Sequence, residues 1–160
     1  MSFGDSGYHL STEDGKGYHF LNSLMIVKAG GEDTRGQLAV VETRTPPDYG
    51  PPPHIHADEE EIFYVLEGTV EVMCGDQQFV ATPGSLVLTP RGTLHTFHVT
   101  DEGPGKLLVI TAPAQFERFV AEVGSGTSTR ELPDPEEPDV ERLIEISARY
   151  GITYPPPPGA

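Results

Sequence analysis

His54-Ile-His56 is the tightest constraint in this chain. Side chains alternate across a strand, so two histidines one residue apart share a face. The run Glu61-Ile-Phe-Tyr-Val-Leu-Glu67 follows and reads as a second strand. His95, within Thr93-Leu-His-Thr-Phe-His-Val99, belongs to a third. Side chains from three strands can meet at one point only if the sheet curls around them. Neutral imidazoles and an ionised carboxylate are donors that a divalent transition ion accepts well. The alternative is that each histidine is a hydrogen-bonded core or surface residue. That account requires three histidines and one glutamate to face inward by accident.

The rest of the chain suits a small barrel. Its 160 residues fit one domain with a core of its own. Sixteen prolines and eighteen glycines punctuate short apolar runs. Strand-like segments recur from Tyr18 to Thr111, divided by Gly30-Gly31, Pro46 to Pro53, Gly68, Gly75-Asp76, Pro83-Gly84, Pro90-Arg-Gly92 and Gly103-Pro-Gly105. Eight or nine such strands predict an all-β barrel or sandwich. Past Pro113 the period changes. Phe116, Phe119, Val120 and Val123 mark one face of a helix that stops at Gly124. Val140, Leu143, Ile144 and Ser147 mark a second, ending at Gly151. The segment 124–138 between them reads as an acidic surface loop, and Tyr154 to Ala160 as a polyproline-like tail. The expected organisation is a flexible arm over 1–16, the barrel over 17–113, and a helical extension with a Pro-rich tail over 114–160.

Charge narrows the partners. With 25 acidic and 10 basic residues the formal charge is −15, which disfavours nucleic acid and anionic membranes. No leader pattern and no membrane-length apolar run is visible, so a cytoplasmic protein is expected. The single cysteine, Cys74, shares parity with Val70 and Val72 and reads as a buried small hydrophobe. A homodimer is expected on the frequency of isologous pairs, with the N-terminal strands as candidates for exchange.

The spacing around the histidines resembles the two motifs of the cupin superfamily. Gly50-Pro-Pro-Pro-His54-Ile-His56, four residues, Glu61, then six residues to Gly68 follows the first motif, with a leading spacer of three residues instead of five. Gly84, five residues, Pro90-Arg-Gly92, two residues, His95 follows the second, with Val99 where the family usually has Asn. The resemblance implies a double-stranded β-helix, the jelly-roll cupin barrel, capped here by the two C-terminal helices. It implies His54, His56, Glu61 and His95 as ligands of one divalent transition metal: Fe, Mn, Ni, Co, Cu or Zn. Glu59 and Glu60 are weaker candidates for the carboxylate and read as solvated loop acids. His98 is out of phase with His95 and should point outward. Phe63, Val65, Val72, Phe79 and Phe97, with Leu86 or Leu88 and Val109, could line an apolar substrate pocket or merely fill the barrel.

The chain also resembles single-domain cupins of the quercetin 2,3-dioxygenase-like group, in Glu61-Ile-Phe-Tyr-Val-Leu-Glu-Gly68, the Phe116-Glu-Arg-Phe119 helix and Ala148-Arg-Tyr-Gly151. This implies oxygen-dependent cleavage of a flavonol-like or other enolisable aromatic substrate, with Glu61 as ligand and catalytic base. A non-oxidative isomerase, cyclase or lyase, and a non-catalytic small-molecule binder, are the alternatives.

Overall fold

A computed structural model of the chain describes residues 6–156. Its strands are β1 (Lys16–Phe20), β2 (Ser23–Ala29), β3 (Ala39–Thr45), β4 (Ile55–His56), β5 (Glu60–Glu67), β6 (Val70–Cys74), β7 (Gln77–Ala81), β8 (Leu86–Thr89), β9 (His95–Val99), β10 (Gly105–Ala112), β11 (Ser125–Thr127) and β12 (Ile152–Thr153). The helices are α1 (Gly31–Thr34), α2 (Phe116–Val123) and α3 (Val140–Arg149). A seven-stranded sheet runs β11-β1-β2-β3-β10-β5-β8, opposed by a three-stranded sheet β7-β6-β9 and a pair β12-β4. The fold is the expected jelly roll with helices after the last barrel strand.

Strand alternation builds the core. Along β10 every second residue from Gly105 to Thr111 is buried, and β5 buries Glu61, Phe63 and Val65. These meet Val70, Val72, Phe97 and Val99 from the opposite sheet in one continuous apolar cluster. Phe20 and Phe119 close one end edge-to-face, with centroids 5.6 Å apart, a favourable aromatic arrangement.

Two glycines of the cupin-like motifs have steric reasons. A Cβ on Gly50 would stand 1.8 Å from the Phe97 carbonyl oxygen, because the proline-rich approach to β4 runs against β9. Gly68 turns β5 into β6 at φ +82°, in the left-handed region that glycine tolerates, and its missing Cβ leaves room for the Pro104 carbonyl.

Several sequence expectations need correction. The glycine turn after β2 contains the single-turn helix α1. Part of the supposed surface loop, Ser125–Thr127, is strand β11, whose register with Gly17, Tyr18 and His19 extends the large sheet. That places β1 between two strands of its own chain. The buried stripe of α3 is Leu143, Ile146 and Ser147, while Val140 and Ile144 are about half exposed. Both readings have helical spacing, and contact with β12 and α2 selects the former. The described part of the N-terminal arm is tied down: the Lys28 ammonium donates to the carbonyls of Ser11, Thr12 and Asp14, and Arg130 to those of Glu13 and Gly15. Residues 1–5 of the arm and 157–160 of the tail lie outside the described residues. Among those described, no helix is long and apolar enough to cross a membrane.

Candidate metal centre

The sheet brings the three histidines together through its backbone. His54 and His95 form an isolated antiparallel bridge, each amide donating to the other's carbonyl at 3.0 Å. Directly opposed residues project to the same face. His56, two residues along, projects there too. The ring centroids lie 4.6 Å (His54–His95), 5.0 Å (His54–His56) and 5.3 Å (His56–His95) apart. Glu61 enters from β5, 3% exposed, and its backbone carbonyl accepts from the Thr89 hydroxyl. One donor atom from each of the four residues falls within 4.8 Å of every other.

Hydrogen bonds fix which nitrogen faces the centre. Nδ1 of His54 donates to the Pro52 carbonyl at 2.8 Å, and Nδ1 of His95 to the Thr93 carbonyl at 2.9 Å. Nδ1 of His56 donates to Glu59 Oε1 at 2.7 Å. All three acceptors are oxygens, so Nδ1 is the donor in each ring and Nε2 is the nitrogen that faces the centre. His56 Nε2 is buried without a hydrogen-bond partner. Glu61 Oε2 lies 2.6 Å from His95 Nε2 and 3.5 Å from His56 Nε2. Acceptors this close need a proton or a cation among them. The donor set of three imidazole nitrogens and one carboxylate oxygen fits a divalent transition ion.

Ionisation follows the same geometry. Burial would raise the Glu61 pKa, but charge on His56, the His95 hydrogen bond and charge on His95 and His54 outweigh it and hold the carboxyl at about 2. His56 is desolvated, which disfavours its cation, yet the Glu61 and Glu59 carboxylates raise its pKa overall. His54 is brought down to about 4, mainly by desolvation, which the Glu61 charge does not offset.

Above the cluster is a cavity of about 50 Å³, room for one or two waters. Phe63, Phe97 and Val109 line it, and so do Phe20, Met25, Phe116, Phe119, Ile152 and Tyr154. Val65 and Val72 are buried in the core away from that lining. Phe79 is not a pocket residue. It lies on β7, the outer strand of the small sheet, and is 37% exposed, and its neighbours Gln77, Gln78 and Val80 are exposed too. Leu86 and Leu88 are also outside, at 58% and 49% exposure on edge strand β8. His98 points outward to Asp48 at 3.0 Å. Glu60 is a surface acid, as expected, and takes both arms of Arg91 at 2.6 and 2.7 Å. Glu59 is not solvated at all: it is 1% exposed, beneath His56. It shares parity with Glu61, Phe63 and Val65, all of them buried, one residue ahead of β5.

The cupin domain family model matches residues 41–111, which hold all four donors. This chain carries a cupin domain. Among curated proteins it is similar to the quercetin 2,3-dioxygenase of Bacillus subtilis, 26% identical over 136 residues, 83% of this chain. The match covers 40% of that protein, so the chain spans about two fifths of its relative's length. The cupin fold recurs in KdgF from a Halomonas species (TM-score 0.61, 18% identity, 71% of this chain and 98% of the other). It recurs in the polyketide cyclase RemF from Streptomyces resistomycificus (0.58, 24%, 67% and 80%). A predicted oxalate decarboxylase from Thermotoga maritima shares it too (0.61, 18%, 67% and 99%). At these identities the three structures speak for the fold alone, and one fold hosts many reactions.

Proposed function

We propose that this cupin is a metal-dependent dioxygenase of the cytoplasm acting on a flavonol-like or other enolisable aromatic molecule. His54, His56, Glu61 and His95 are its ligands. The observation that carries the reading is the cluster of three imidazole Nε2 atoms and one carboxylate at the floor of an aromatic-walled cavity. The similarity to a quercetin 2,3-dioxygenase supports the substrate class. A bound redox-active ion would supply the electron-transfer chemistry that links an enolate to O₂.

The chain's own residues do the rest. Phe63, Phe97, Phe116 and Phe119 offer ring faces and edges to a flat substrate and exclude water. Glu61 accepts the substrate hydroxyl proton at a carboxylate oxygen. Its low pKa reflects charged His56 and His95. When those rings serve as neutral ligands the charge of the bound ion would take over that influence, and burial, which favours the protonated acid, would oppose it. A flavonol exceeds about 50 Å³, so a wall must yield to admit it. One wall is β12 with Tyr154, which is paired with two residues of β4 and held by the Ser147 hydroxyl at 3.1 Å.

The reading includes a homodimer. Its support is the outer face of β5 and β8, where Tyr64, Leu86 and Leu88 are exposed.

The test is the ultraviolet spectrum of flavonols mixed with protein loaded with Fe, Mn, Ni, Co or Cu, with and without O₂. Loss of the flavonol band only in O₂ is the expected result. An unchanged spectrum in both atmospheres refutes the proposal. A change in both, retained with Zn, selects the isomerase, cyclase or lyase reading instead.

A further inference from the structure

We propose that Glu59 is a positioning residue for the ion, holding His56 in its ligating orientation and strengthening its Nε2 as a donor. The inference rests on the four-donor metal site proposed above. Glu59 is buried, and Oε1 accepts from His56 Nδ1 at 2.7 Å and from Gln115 Nε2 at 3.4 Å. Gln115 also donates to the Tyr150 carbonyl at 2.9 Å. The carboxylate is therefore clamped between β4, the start of α2 and the end of α3. Among the described residues its one ion-pair partner is His56. Its Oε2 is buried without a hydrogen bond.

Placing a carboxylate there is expensive unless something is gained. Orientation alone does not require it. His54 and His95 are oriented by the neutral carbonyls of Pro52 and Thr93. Of the three rings only His56 leans on a full negative charge. A carboxylate at Nδ1 pushes electron density toward the opposite nitrogen, so the bond from Nε2 to a cation strengthens. His56 is accordingly the strongest of the three imidazole donors, and Glu59 is why.

Two variants separate charge from shape. Glu59→Gln keeps the volume and an acceptor oxygen but removes the charge; Glu59→Leu removes both. The probe is Co²⁺, followed by isothermal titration and by the exchangeable, hyperfine-shifted Nδ1 proton signals in NMR. Wild type should show three such signals. Glu59→Gln should bind Co²⁺ about tenfold more weakly with three signals, and Glu59→Leu up to about a hundredfold with the His56 signal lost. The proposal is overturned if Glu59→Gln binds within about threefold of wild type with all signals unmoved. That variant decides the matter alone if Glu59→Leu does not fold. Wild-type protein that takes up no Co²⁺ overturns the metal site itself, and this role with it.

Discussion

Mild acid should weaken this protein through His54 before most of its carboxylates titrate. Loss of water around the imidazolium brings its pKa from 6.5 to about 4, against the pull of Glu61. Between those two values the unfolded chain holds a proton that the folded chain does not. Stability therefore rises with pH across that window and is lost as pH falls from 6.5 toward 4. One proton corresponds to about 1.4 kcal/mol per pH unit. Lowering the pH from 7 to 5 crosses about 1.5 units of the window, so His54 should remove roughly 2 kcal/mol. The assay is urea unfolding in chelator at both pH values, comparing wild type with His54→Asn. Asparagine keeps a donor for the Pro52 carbonyl but has no proton to gain. Wild type should lose about 2 kcal/mol more than the variant between pH 7 and 5. Equal losses would mean that the floor of the cavity does not desolvate this ring, and the argument would fall.

Metal uptake should follow His56, whose pKa moves the other way from that of His54. Its pKa lies above 6.5, so protons compete for Nε2 through neutral pH, and Co²⁺ affinity should climb as pH rises from 6.5 until the ring is neutral; a flat titration series would contradict this. Phe63→Ala should cost about 3–5 kcal/mol in urea unfolding, whereas Phe79→Ala on the outer strand should cost under about 1 kcal/mol. Gly50→Ala should destabilise by about 3 kcal/mol, because the added methyl meets the Phe97 carbonyl, and a melt like wild type would refute that clash. Sedimentation should show a dimer that Leu88→Lys dissociates; a wild-type monomer at high concentration would end that part of the reading.

The meeting of the four candidate donors was legible because each sits on a strand or at its edge, where period two fixes the facing. His54 and His56 needed only that rule, and Glu61 began a run whose alternate residues are apolar. Legibility stopped where the backbone leaves the strand. Glu59 stands one residue before β5, and its carboxylate is covered by Gln115 at the start of α2, far away in sequence. Phe79 has the composition and parity of a core residue, yet β7 lies at the margin of its sheet and leaves it exposed. Ser125-Gly-Thr127 carries no strand signal; it is a strand because β1 offers an unpaired edge. In α3, Ile144 and Ile146 are equally apolar, and only the position of the barrel decides which is buried.

Strand β12 pairs with β4 in register, Ile152 opposite His56 and Thr153 opposite Ile55. The segment bearing two of the donors is thus stitched by residues synthesised after every strand of the barrel. A ribosome-bound chain that has already made the barrel still presents an uncovered pocket until β12 emerges. Shortening the protein ahead of Ile152, or stiffening it there with a fusion partner, would alter the mouth of the site without touching a single donor.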